Sequence, residues 1–361
     1  MNYKKKDKMG LTRDFKETVQ NRINRDPEFR EELLKEEARL VHKTIKKIFK
    51  NFRGILAADE SDGTIANRLG SVGQESTPEN RHSYRHTIFS TPDLKRSVGG
   101  VILFDETLRN KETIAPLIEN DIVLGIKVDK GAKPYFLDSH ETLTEGLDGL
   151  DQRLVEYKEL GAQFAKWRAV LLQNNSPQGL LANCWTLARY AKKCQSHGII
   201  PIVEPEILMN GMHSIEDSYR ITRQALHILF DALHYEDVEL EHTILKPNMI
   251  VSGYESNDRA DAKTVAKMTI KCFRNEVPCA LPAIAFLSGG QSDDEAIKNL
   301  SHINRLDNLS TDEKKPWHLS FSFGRAMQSG ALKLWSDGLI KEAQDWTRER
   351  GLICQKAVRG Y

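Results

Sequence analysis

From Gly54 onward, short apolar runs recur along the chain: Ile55–Ala58, Val98–Phe104, Ile122–Val128, Phe164–Leu171, Ile199–Leu208, His242–Met249, Ala283–Leu287 and His318–Phe323. Longer charged stretches lie between them, and their apolar positions return with a helical period, as in Leu147–Leu160, Leu180–Lys193, Ile215–Leu233 and Ala260–Arg274. Near-continuous apolar runs predict strands buried on both faces. Their alternation with helical stretches predicts right-handed βαβ units and a parallel sheet. Eight such strands in about 270 residues predict an α/β fold of the (β/α)8 TIM-barrel type. An open doubly wound sheet is the main alternative, but it would carry a glycine-rich nucleotide turn after its first strand. Here that position holds Ala57-Ala58-Asp59-Glu60-Ser61.

Residues 1–50 have a different pattern. They are rich in Lys, Arg and Glu, with Leu33, Leu34, Ala38, Leu40, Val41, Ile45 and Ile48 at helical spacing. One or two charged helices are predicted, with the first ten residues disordered. The domain reading is an N-terminal extension over 1–30, partly disordered, a barrel over 31–345 and a C-terminal tail over 346–361. No internal repeat or low-complexity linker divides the barrel.

Composition narrows the function classes. Of 361 residues, 52 are Lys or Arg and 51 are Asp or Glu, so bulk charge predicts neither nucleic acid nor an anionic membrane as partner. An anion site must come from local arrangement. Five cysteines, Cys184, Cys194, Cys272, Cys279 and Cys354, show no CxxC spacing, which fits buried thiols in a reducing cytoplasm. No run approaches the ~18 apolar residues of a membrane span, and no apolar segment follows the basic start as in a secretory signal. No histidine cluster has metal-ligand spacing, so neither metal nor cofactor is expected.

The candidate chemistry lies where the apolar runs end. A barrel of this type places its site at the C-terminal ends of its strands. The first run ends in Asp59, followed by Ser61 and Thr64. The third carries Lys127 and Asp129, the fourth Lys166 and Arg168, the fifth Glu204 and Glu206. Each pair has i, i+2 spacing, which puts both side chains on one face of a strand. The sixth run ends at Leu245-Lys246-Pro247-Asn248. A lysine there either points its head into water or sits buried as an unprotonated amine able to condense with a carbonyl. The seventh and eighth runs lead into Ser288-Gly289-Gly290-Gln291 and Ser322-Phe323-Gly324-Arg325. Glycine lets backbone N–H groups approach a phosphate, and the loops after strands seven and eight are the usual phosphate site of this barrel. Ser61, Lys127 and Arg168 could hold a second phosphate across the mouth.

Seven motifs, in order, carry a resemblance: Gly54-Ile55-Leu56-Ala57-Ala58-Asp59-Glu60-Ser61, Gly125-Ile126-Lys127-Val128-Asp129-Lys130-Gly131, Phe164-Ala165-Lys166-Trp167-Arg168, Val203-Glu204-Pro205-Glu206-Ile207, Leu245-Lys246-Pro247-Asn248-Met249, Phe286-Leu287-Ser288-Gly289-Gly290-Gln291-Ser292 and Phe321-Ser322-Phe323-Gly324-Arg325-Ala326. Together, over residues 40–350, they resemble the class I, Schiff-base fructose-bisphosphate aldolases. The resemblance implies reversible, metal-independent cleavage of fructose 1,6-bisphosphate to dihydroxyacetone phosphate and glyceraldehyde 3-phosphate, in the cytoplasm, by a homotetramer. It implies Lys246 as the Schiff-base lysine and Glu204 as the general acid/base, with Glu206 beside it tuning its proton affinity. Asp59 would accept the C4-hydroxyl proton. Lys166 would be the cation that helps keep Lys246 neutral. Ser288, Gly289, Gly290 and Arg325 match the C1-phosphate site, while Ser61, Lys127 and Arg168 match positions at or near the other phosphate; Arg68 helps hold substrate phosphate, and Thr64 and Ser322 count among the substrate-binding positions.

Three departures stand out. The N-terminal extension exceeds the family's usual start. Thr64 replaces a serine common among relatives but keeps the hydroxyl. A terminal tyrosine assists enamine proton exchange in the family, and Tyr361 ends this chain behind a much shorter tail; reach to the site and a free terminus both stay open. The alternatives to the leading reading are a Schiff-base aldolase for another ketose, such as sedoheptulose bisphosphate or fructose 1-phosphate, and a scaffold without turnover.

Overall fold

The structure, a computed structural model, describes residues 21–22, 25–307 and 315–361. The first ten residues, expected to be disordered, lie outside this set. Among the described residues there are ten strands: β1 (Gly54–Ala58), β2 (Val98–Leu103), β3 (Val123–Lys127), β4 (Ala132–Pro134), β5 (Thr142–Thr144), β6 (Phe164–Leu171), β7 (Ile200–Ile207), β8 (Ile244–Leu245), β9 (Ala283–Phe286) and β10 (His318–Phe323). Eight of them close a parallel barrel in the order β1-β10-β9-β8-β7-β6-β3-β2. Each of the eight corresponds to one predicted apolar run. β4 and β5 form a separate antiparallel hairpin that the hydrophobic pattern did not announce.

The barrel strands are buried along nearly their whole length, as expected of a sheet ringed by helices. Large rings fill the interior where neighbouring strands carry glycine. A Cβ on Gly125 would lie 2.1 Å from the Phe164 ring, and one on Gly54 would lie 2.7 Å from Phe321. The outer helices begin where polar caps satisfy their first N–H groups. Ser176 accepts from Gly179 N at the start of Pro177–Ser196, and Ser214 and Asp217 form a reciprocal capping box at the start of Ile215–Tyr235.

β8 is the shortest barrel strand, two residues where a run of eight was predicted. Pro247 explains the difference, because it has no N–H to donate and biases the residue before it. The chain stays buried and bonded beyond it. Lys246 N donates to Val203 O at 2.9 Å, and Leu287 N donates to Pro247 O at 3.1 Å. The Asn248 side chain then takes over for backbone, accepting from Ile207 N at 2.7 Å. Lys246 therefore sits at a sharply fixed strand end.

At the two ends of the chain, long helices span positions 30 and 346. One helix runs Pro27–Phe49 through position 30, and compact packing divides at Lys43/Thr44. The last helix, Ile340–Val358, runs through position 346 because Ala343, Thr347, Gly351, Cys354 and Ala357 form its buried stripe. Near its end, Gln355 donates to Asn51 O and Arg96 O, both at 2.7 Å. Those residues precede β1 and β2, so the helix ends at the N-terminal face of the barrel. Tyr361 follows there, exposed, on the opposite side from Lys246.

Candidate active site

One cleft of about 1230 Å³ opens at the C-terminal ends of the barrel strands. Lys246, Glu204, Asp59, Lys166, Glu206, Ser61, Thr64, Arg68, Lys127, Arg168, Ser288, Gly289, Gly290, Ser322 and Arg325 all line it. Its lining holds nine Lys or Arg side chains against seven carboxylates. The positive excess that the whole sequence lacks is thus gathered here.

At the floor, the buried Lys166, Glu204 and Lys246 and the partly buried Asp59 form a chain of alternating charge. Lys166 Nζ lies 2.6 Å from Asp59 Oδ2 and 3.2 Å from Glu204 Oε2. Glu204 Oε1 lies 2.9 Å from Lys246 Nζ. Asp59 comes from the end of β1, Lys166 from β6, Glu204 from β7 and Lys246 from the end of β8. Burial pushes the Asp59 carboxyl up, but Lys166 and Lys246 outweigh burial and hold it at about 2. Burial likewise raises Glu204, and Lys166, Lys246 and Arg168 bring it below the ordinary carboxylate range. Burial alone would depress Lys166, but Asp59, Glu204 and Asp129 hold its ammonium well above the usual lysine value. The sequence suggested a direct influence of Lys166 on Lys246. In the structure Glu204 stands between them and shares one oxygen with each.

Glu206 pairs with Arg168 Nε instead of joining this chain. Burial would lower the Arg168 guanidinium, yet Glu206 and Glu204 hold it above its ordinary value. Lys127 pairs with Asp129, its Nζ 2.6 Å from Oδ1. Asp129 also accepts from Gly131 N and Arg168 N, each at 3.2 Å. Ser61 Oγ and Thr64 Oγ1 are 3.1 Å apart nearby. Arg68 is held by the buried Glu60, which also accepts from Gln328 Nε2 at 3.2 Å.

Across the mouth, the Ser288 to Gln291 turn is closed by Gln291 N donating to Ser288 O at 3.4 Å. Gly290 has φ +73°, and a Cβ there would fall 2.3 Å from Met209. Both facts require glycine. Arg325 opens the helix Arg325–Ser336, whose N-cap is Gly324, so no side chain caps its first N–H groups. Such an end favours an anion. Ser322 Oγ is buried without a hydrogen-bond partner at the end of β10.

The sequence reading missed several lining residues. Arg109 lies in the helix Asp105–Arg109 and pairs with Asp105 at 2.9 Å. Arg153 donates to Val128 O at 2.7 Å from the helix Leu150–Glu159. Both occupy helix-surface positions that read as ordinary solvated faces. Asn210 and Tyr254 come from the loops after β7 and β8, and Asn210 Nδ2 donates to Tyr254 Oη at 2.9 Å. Among the described residues, no group of three or more His, Cys, Asp or Glu could hold a metal ion, and no helix is long and apolar enough to cross a membrane.

Comparison with known proteins gives a consistent result. The family model described as fructose-bisphosphate aldolase class-I matches residues 40–361. A probable fructose-bisphosphate aldolase class 1 of Xanthomonas campestris is 48% identical over 309 residues, covering 82% of this chain and 91% of that protein. Fructose-bisphosphate aldolase B of Bos taurus is 41% identical over 339 residues, covering 91% and 92%. A solved structure of fructose-bisphosphate aldolase from Plasmodium falciparum, in complex with TRAP and a small-molecule inhibitor, superposes with a TM-score of 0.86 at 40% identity, covering 90% and 95% of the two chains.

Proposed function

Since this chain belongs to the class I fructose-bisphosphate aldolases, we propose that the series Asp59–Lys166–Glu204–Lys246 carries its catalytic proton transfers. The protein is a lyase that cleaves fructose 1,6-bisphosphate reversibly into dihydroxyacetone phosphate and glyceraldehyde 3-phosphate. The observation that supports these assignments is the position of Glu204, one oxygen 2.9 Å from Lys246 Nζ and the other 3.2 Å from Lys166 Nζ. A proton passed from Lys246 to Glu204 leaves a neutral amine and a carboxylic acid side by side, with the Lys166–Asp59 ion pair intact.

The amine attacks the C2 carbonyl, and the Glu204 acid supplies a proton as the carbinolamine loses water. The resulting iminium is an electron sink. Asp59, ionised at neutral pH, accepts the C4-hydroxyl proton while the C3–C4 bond breaks and its electron pair enters the imine. Glyceraldehyde 3-phosphate departs, the enamine is protonated at C3, and hydrolysis returns Lys246 and dihydroxyacetone phosphate. Lys166 keeps Asp59 charged and polarises the developing oxyanion. The C1 phosphate is assigned to Ser288, Gly289, Gly290, Ser322 and Arg325. The other phosphate is assigned to Ser61, Thr64, Lys127 and Arg168, with Arg68 helping to hold phosphate. Glu206 acts through Arg168. Two anchored ends fix the ketose over the lysine, an arrangement that removes orientational entropy before reaction. The test is borohydride reduction with dihydroxyacetone phosphate followed by peptide mapping. A stoichiometric label on Lys246 is expected, and a label on any other lysine would overturn the assignment.

The catalytic work is assigned to the barrel over 31–345, with 1–30 an extension outside it. A cytoplasmic location is supported by five free cysteines. A homotetramer is supported by family membership and by exposed apolar groups on two outer helices, Leu181, Trp185 and Tyr235, with Trp185 and Tyr235 stacked at 6.0 Å. Light scattering should give about four times the 41.1 kDa chain mass, and Trp185→Glu should lower it. A monomeric wild-type protein would overturn the tetramer.

A further inference from the structure

Gln291 and Asn299 are both buried, the second on the helix Asp293–Asp307. Asn299 Nδ2 donates to Gln291 Oε1 at 2.8 Å. The backbone of Gln291 serves both halves of the anion site assigned to the C1 phosphate. Its N–H closes the turn onto Ser288 O at 3.4 Å, and its carbonyl accepts from Arg325 Nη2 at 2.8 Å. The Arg325 side chain is 58% exposed, so packing does little to aim it. Its carboxylate neighbour Asp293 is 3.9 Å away, beyond hydrogen-bond reach. One residue therefore ties the glycine turn to the guanidinium.

The Gln291 side chain depends in turn on Asn299. Its Nε2 is buried without a hydrogen-bond partner, and among the described residues Asn299 is the one side chain bonded to its amide. Without Asn299 the whole amide would lie unsatisfied in the interior, which is costly enough to make the side chain seek another position. The carbonyl that holds Arg325 would move with it. The helix carrying Asn299 is itself anchored at its start, where Ser292 N donates to Glu295 Oε2 at 2.8 Å and Glu295 N to Ser292 Oγ at 3.2 Å.

We infer that Asn299, acting through Gln291, is a positioning residue that sets the spacing between the Ser288–Gly290 turn and Arg325, and so the affinity for the phosphate on the dihydroxyacetone half of the substrate. The inference rests on the assignment of that phosphate to this turn and Arg325. It is tested by titrating dihydroxyacetone phosphate against borohydride labelling of Lys246 in the full chain. Asn299→Leu should raise the half-saturating concentration about tenfold, the order expected for one buried hydrogen bond. The labelled fraction at saturation should stay at the wild-type level. KM for the bisphosphate should rise in parallel with kcat nearly unchanged. Asn299→Asp should restore half-saturation to within about twofold, because the Gln291 amide can turn and donate from Nε2. If the leucine variant fails to fold, Asn299→Ser, too short to reach the amide, carries the same expectation. An unchanged half-saturation, a lower labelled fraction at unchanged half-saturation, or an aspartate variant as weak as leucine would overturn the proposal. Arg325→Ala is measured alongside. If it too leaves half-saturation unmoved, the phosphate assignment fails; if it alone raises it, only the role of Asn299 fails.

Discussion

Lys246→Met is expected to lower kcat on the order of 10⁶-fold, the scale seen when a covalent nucleophile is removed, while the protein remains folded. The methionine fills the same buried strand end, and Glu204 keeps Lys166 as a counter-charge 3.2 Å away. Lys246→Arg should be equally inactive, because a guanidinium keeps the charge but offers no amine to a carbonyl. Steady-state kinetics and a thermal melt together decide the matter. A correctly folded methionine variant retaining as much as about one hundredth of the activity would exclude the covalent route, since acid–base groups alone contribute only about 10²–10⁴-fold.

Lys166→Met should act on activity and stability together. Breaking a buried ion pair by removing one partner costs about 3–5 kcal/mol. Here two carboxylates, Asp59 and Glu204, lose their shared cation. The pH dependence separates this from a simple packing defect. In the wild type Asp59 is held at about 2, below its ordinary 3.8. Its contribution to stability is therefore present above pH 3.8 and lost as pH falls toward 2. With Lys166 gone, the burial that already pushes Asp59 upward is opposed mainly by Lys246, and a carboxyl raised by burial binds its proton more tightly folded than unfolded. The variant's deficit should then shrink as pH falls from 7 toward 5. Denaturant melts at both pH values measure it, and a deficit that stays constant would count against the ion-pair account. kcat should fall by about 10²–10⁴.

Hydrophobic pattern was enough to find the barrel because its strands are buried on both faces and so are near-continuously apolar, broken mainly where charged side chains enter the cleft. The hairpin of Ala132–Pro134 and Thr142–Thr144 escaped it because those strands are three residues each and carry no apolar run, the first being exposed along its whole length. The proline after Lys246 was visible in the sequence, but its effect on strand length depends on what replaces the lost ladder bonds, here Asn248. The i, i+2 spacing correctly grouped side chains by face, yet it could not say which partner each would choose. Lys127, the last residue of β3, pairs with Asp129 just beyond it. Lys166 and Arg168 instead reach diagonally across to Glu204 and Glu206 on β7, since the register sets Arg168 level with Glu204. That choice follows from strand stagger, which closure of the barrel imposes and no local pattern encodes. Arg109 and Arg153 were hidden for the opposite reason: nothing in a charged helix face distinguishes a residue that overlooks a cleft from one that overlooks bulk water.

The end of the last helix carries a kinetic consequence. Gln355 fastens that helix to the backbone before β1 and β2, which leaves Tyr361 at the far end of the barrel from the reacting carbon. While it stays there, Tyr361 gives no proton to the enamine, and protonation falls to other groups or to solvent. The carbanionic intermediate would then persist longer than in an enzyme with a phenol delivered to it. A long-lived enamine is exposed to any electrophile that diffuses in, oxidants included, and also to any aldehyde.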